Sequence, residues 1–208
     1  MNSPRLLLAA LSATALLAFS ASAANDTVVI PLPGGQEVSG ILAVIDESET
    51  NWKFLPLTIS ATDNGFSGSF KAPSGDTSTI EGRFENRDGA LHCSVKWEGA
   101  AVLSQTFVML SMAFPADQVQ DTMLISGTET INVPKLLAGE PTRANFNRVS
   151  AFTMGPVDGK QLSFACETPL DVGVVVLQNK DFAHVRLGLT PRKSDMPASG
   201  EAIWTIGQ

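Results

Sequence analysis

His184 and Arg186 stand two apart in the run FAHVRLGL, so on a strand they share one face. A guanidinium beside an imidazole is a pair that can hold a carboxylate or a sugar acid. Two polar residues alternating with Val185, Leu187 and Leu189 are also what any strand with one wet side shows. The three tryptophans are the other candidates, because sugar rings stack on exposed aromatic faces. Trp52 lies beside an acidic loop and Trp204 near the C-terminus, which favours exposure for both. Trp97 falls on the apolar side of its strand and is expected in the core. The chain has no tyrosine, the usual companion in such platforms.

Other chemistry finds little footing. Gly65-Phe66-Ser67-Gly68-Ser69 departs from a nucleophile elbow at its last position and lies mid-hairpin, not on a strand-to-helix turn. His92 opposite Glu85 reads as a cross-strand pair. There is no C-x-x-C, no H-E-x-x-H and no EF-hand loop, so neither a metal nor a cofactor is expected. Asp46, Glu47 and Glu49 with Asn51 could collect calcium, or simply form a solvated turn. Spacing singles out no pair of carboxylates for glycoside cleavage.

Arg5, the apolar run Leu6 to Phe19 and the small-x-small site Ala21-Ser22-Ala23 have the layout of a secretory signal peptide over residues 1–23. Residues 24–208 are then one domain of an exported protein, periplasmic or extracellular. No later run is long and apolar enough for a membrane span. The net charge of −7 with no basic cluster argues against nucleic acid or an anionic membrane surface. Export also bears on the only two cysteines, Cys93 and Cys166. Each alternates with apolar residues and should point inward. They bridge two sheets, closing a loop of about 70 residues worth about 4 kcal/mol, or they stay as buried thiols.

These residues are positioned by strands. Folding at Asp88-Gly89 sets Phe84 against Cys93, Gly82 against Val95 and Ile80 against Trp97 on one face, with Glu85 against His92 and Glu81 against Lys96 on the other. A one-residue slip would destroy that agreement. Val28 to Leu32, near Pro31 and Pro33, suits a sheet edge. A turn at Asn64-Gly65 pairs Ile59 with Phe70 and Leu57 with Ala72. Ala100 to Phe114 is apolar on both faces and is read as a strand within a two-sheet stack. Pro115 to Asp121 suits a helical turn. Thr122 to Ile125 and Thr130 to Val133 form a small hairpin, and Leu136 to Asn147 is a loop. Around Asp158-Gly159 a three-residue loop pairs Met154 with Phe164 and Phe152 with Cys166. About a dozen such strands, without a long amphipathic helix, predict an all-β, two-sheet antiparallel sandwich of jelly-roll type, with a closed barrel as the second architecture.

The hairpin, the long apolar strand, AFPADQVQDTMLISGTETINVP and GKQLSFACETPLDVGVVVLQNKDFAHVRLGL together resemble an accessory β-sandwich domain of large bacterial glycoside hydrolases. The likeness runs from about Gly82 to Leu189 in strand order. It implies a sandwich without catalytic residues, and no barrel follows here. The expectation is an exported, non-catalytic binding or interaction module whose partner is a glycan or another exported protein. The alternatives are a polysaccharide lyase or hydrolase with a groove on one sheet, and a structural subunit joined through the edge at Val28 to Leu32.

Overall fold

The computed structural model describes residues 27–46, 53–55, 57–71, 75–99, 106–190 and 199–208. The leader, Trp52, Glu47 and Glu49 lie outside that set, as does the start of the apolar run at Ala100. The first strands are β1 (Thr27–Pro31), β2 (Glu37–Asp46), β3 (Lys53–Phe54), β4 (Leu57–Thr62) and β5 (Gly65–Lys71). They are followed by β6 (Thr77–Arg87), β7 (Ala90–Gly99), β8 (Thr106–Pro115), β9 (Met123–Ser126) and β10 (Glu129–Asn132). After a short helix α1 (Val133–Ala138) come β11 (Asn145–Val157), β12 (Lys160–Val176), β13 (Phe182–Gly188) and β14 (Ser199–Gly207).

The protein is an all-β, sandwich-like fold built from one antiparallel sheet. Its strand order is β1-β2-β8-β13-β12-β14-β7-β6-β5-β4, with β11, β9 and β10 branching from β12 and β3 from β2. The 17-residue β12 joins the two layers. Its first half pairs with β14, Cys166 against Trp204, and its second half pairs with β13, Gly173 against Arg186. One layer is therefore β4-β5-β6-β7-β14 and the other β1-β2-β8-β13, and their apolar faces share one core. Because hydrogen bonding passes unbroken between layers, the sandwich approaches a barrel. Among the described residues no helix is long and apolar enough to cross a membrane.

The β6–β7 hairpin has the expected register throughout, from Ile80 opposite Trp97 to Glu85 opposite His92. Asp88 and Gly89 take φ of 52° and 80°, as a type I′ turn demands. The charges on its wet face choose other partners. Glu81 bonds Arg83 at 2.9 Å, Glu85 bonds Arg87, and Lys96 reaches Glu201 on β14 at 3.6 Å. His92 Nδ1 lies 3.4 Å from the Thr205 hydroxyl.

The β4–β5 hairpin is displaced by two residues from the expected register, with Leu57 opposite Phe70 and Ile59 opposite Gly68. Asp63 and Asn64 form its loop, and Gly65 is the first residue of β5. The reason is steric. Gly65 takes φ of 152° beside the carbonyl of Gly82, where a Cβ cannot fit, so the glycine is needed within the strand rather than in the turn. The β11–β12 hairpin also departs from expectation. Asp158 and Gly159 form a two-residue loop, and a register shift between Met154 and Val157 brings Phe152 opposite Phe164 and Met154 opposite Leu162. Their rings stack at 4.4 Å between centroids. Residues 133–138, partly read as loop, form α1: Asn132 accepts from the Lys135 N–H at 2.9 Å, and Gly139 ends the helix at φ of 83°. The helical turn is present as a 3₁₀ segment, Ala116–Val119.

Gly82 lies against the buried ring of Phe66, inside the space its own Cβ would need. Gly82→Ala should therefore destabilise the fold by about 1–3 kcal/mol, read as a lower urea midpoint. An unchanged midpoint would mean that the ring can move aside.

Candidate functional site

The strand carrying His184 and Arg186 starts at the turn around Lys180, whose φ is 57°, and runs between β8 and β12. A strand inside a layer has neighbours on both edges, and here both faces are also largely covered. His184 is only 8% exposed and Arg186 is half-buried, so the wet face expected for them is corrected. In the register, Arg186 has Ser111 on one side and Gly173 on the other, while His184 lies between Ala113 and Val175. Ser111, Ala113, Met109, Ala43 and Ile45 on this second face are buried too.

Arg186 lines a cavity of about 200 Å³ with Asp171, Asn145, Met109, Gly173 and Gly188. The two glycines leave the space open: Gly173 is the β12 neighbour of Arg186, and Gly188 follows it on the same face. A Cβ at Gly188 would come within 2.8 Å of the Asp171 carbonyl oxygen. Asp171 is held by the backbone N–H of Arg148, which donates to Oδ1 at 2.9 Å.

Among the described residues no carboxylate forms an ion pair with this guanidinium. The ion pairs formed by arginines among the described residues belong to Arg83, Arg87 and Arg143, and Asp171 makes none with Arg186 although both line the cavity. The Nε of Arg186 and the Nε2 of His184 are buried without a hydrogen-bond partner. Burial lowers the Arg186 pKa to about 10, which leaves it charged near neutrality. Burial first, and then the Arg186 charge, lower the His184 pKa, which favours the neutral imidazole. A half-buried cation with an unpaired N–H has the chemistry to accept an anion.

The other sequence candidates are not gathered here. Trp204 is fully buried, which rules out an exposed stacking platform. Its indole donates to the Gly188 carbonyl at 2.9 Å, and it packs edge-on against Phe152 at 6.0 Å. Trp97 is in the core as expected. Ser67 lies on β5, not on a turn, and no group of three or more His, Cys, Asp or Glu gathers among the described residues. Of the two alternatives for the cysteines, the structure has the free thiols and not the bridge. Cys93 and Cys166 share a row, but Trp204 lies between them as partner of each. Two strand spacings of about 4.8 Å exceed the span of about 7 Å that a bridge tolerates. Cys166 has the carbonyls of Val149 and Thr168 at 3.4 and 3.0 Å from its sulfur. Asp171, Asn145, Gly173 and Gly188 were not singled out in sequence. The available signal was a pair of glycines within strands otherwise rich in Val and Leu.

A second opening of about 940 Å³ lies between the edge strand β1 and the ends of the β4–β5 and β6–β7 hairpins. Val29, 59% exposed, lines it together with Glu37, Asp63, Glu85 and Arg87. As expected from its prolines, β1 is an edge, paired only with β2.

No protein-family model matches the chain, and no curated protein matches it. Among solved structures, the crystal structure of 4-alpha-glucanotransferase from Thermococcus litoralis is similar at a TM-score of 0.45 and 9% identity, covering 80% of this chain and 26% of that one. This chain thus spans about a quarter of that enzyme's length. So distant a likeness assigns no activity here.

Two outcomes test the site's electrostatics. Arg186→Met removes a lone desolvated charge, so it should leave stability unchanged or raise it by about 1 kcal/mol; a clear fall in the urea midpoint would give Arg186 a structural role instead. Cys93 is fully buried with its pKa pushed up to about 12, so iodoacetamide at mild alkaline pH should spare it and label at most Cys166, slowly. Reductant should not move the melting temperature, and a reductant-sensitive melt would restore the bridge.

Proposed function

We propose that the protein is an exported, non-catalytic binding module whose ligand is a carbohydrate and whose site is the cavity at Arg186. The observation that carries this reading is the half-buried guanidinium lining a cavity without a counter-ion among the described residues. A protein gains nothing in stability from such a group, so the gain lies in what it binds. The cavity of about 200 Å³ is smaller than a typical drug-sized site and suits one sugar ring or a chain terminus. Among the described residues that line the cavity the only carboxylate is Asp171, already engaged by Arg148. Glycoside hydrolysis ordinarily uses two facing carboxylates, which favours binding over cleavage. The leader-like residues 1–23 support export.

A second reading draws on the opening beside β1. A five-residue edge strand bordered by a groove is a place where an extended segment of another exported protein can pair.

The test is a glycan array on the protein lacking residues 1–23, run beside a reducing-sugar release assay. Binding without release is the expected result. Release would make the protein an enzyme, and silence in both, with a partner captured through β1, would favour the subunit reading.

A further inference from the structure

The chemistry of the cavity narrows the ligand, on the premise that the cavity at Arg186 is the binding site. We infer that it takes a hexuronic acid, with the sugar's carboxylate on Arg186 and a ring hydroxyl on Asp171. The buried Nε of Arg186 has no acceptor, and a guanidinium edge formed by Nε and one Nη is a planar pair of donors. A carboxylate is the planar acceptor that matches it in bidentate fashion. A phosphate or sulfate ester would call for further donors, and among the described residues Arg186 is the only cationic one lining the cavity.

Asp171 supplies the second half of the recognition. It lines the same cavity, and among the described residues it forms no ion pair with Arg186. Its Oδ1 is occupied by the Arg148 N–H, while Oδ2 makes no hydrogen bond among the described residues. A carboxylate cannot accept from another carboxylate at neutral pH, but it accepts readily from a hydroxyl. The ligand that satisfies both ends therefore bears a carboxylate and a hydroxyl, as a uronic acid does. Met109 adds an apolar wall for the C–H face of the ring.

Calorimetric titration with sodium D-galacturonate and sodium D-glucuronate tests the inference, with their methyl esters, the neutral hexoses and sodium acetate as comparisons. The expected result is uronate binding that falls about tenfold or more in the methyl ester, equivalent to one charge-assisted hydrogen bond. Arg186→Gln should abolish it, Arg186→Lys should keep a fraction of it, and Asp171→Asn should weaken uronate severalfold while leaving acetate unchanged. Melting temperatures of the variants close to the parent's show that the fold is intact. Equal binding of neutral and acidic sugars, dependent on Arg186, overturns the uronate inference and leaves the binding-module reading standing. Acetate binding as tightly as uronate overturns the hydroxyl contact at Asp171. No binding of any sugar by the folded protein overturns both readings.

Discussion

The length of β12 is the constraint on which the rest of this protein depends. A strand that pairs first with β14 and then with β13 commits both layers to one hydrogen-bonded frame, because neighbouring strands cannot depart far from a spacing of about 4.8 Å. The layers of a sandwich with two separate sheets can slide; these cannot do so without breaking ladder bonds. It follows that β13 is interior to its layer, flanked by β8 and β12. The same frame brings Gly173 beside Arg186 and Asp171 to the rim of one cavity. The candidate site is thus a product of the sheet's connectivity rather than of any local motif.

Trp204 links this frame to the core. β13 and β14 follow one another along one edge of β12, and near their junction the indole N–H bonds the Gly188 carbonyl. Gly188 also lines the cavity, so one residue joins the wall of the site to the aromatic cluster of Phe152, Phe164 and Trp204. Trp204, expected to be exposed, is instead a buried support for the cavity wall at Gly188. Its bulk also separates Cys93 from Cys166.

Strand identity and the β6–β7 register were legible because two independent patterns, apolar on one face and charged on the other, agreed on a single alignment. The β4–β5 register was not, because shifting by two residues preserves every inside-outside assignment and Asn64-Gly65 offered a ready turn. What decided it was a backbone contact between Gly65 and Gly82, which lies on the far side of the hairpin in sequence. The continuity of β12 was hidden by Glu167-Thr168-Pro169, a polar segment with a proline that reads as a break. Without that continuity β13 looks like an ordinary strand with one wet face, so His184 and Arg186 were placed in solvent. Their types were right and their surroundings wrong. Burial of a central strand is set by its neighbours, which alternation within the strand cannot report.

The pairing of β7 with β14 joins segments roughly a hundred residues apart, and such distant closures slow folding. The β4–β5–β6–β7 sheet can zip up early from local hairpins, yet it meets β12 only through β14. The two layers therefore become one frame only when β14, close to the C-terminal end of the sequence, has paired along both of its edges.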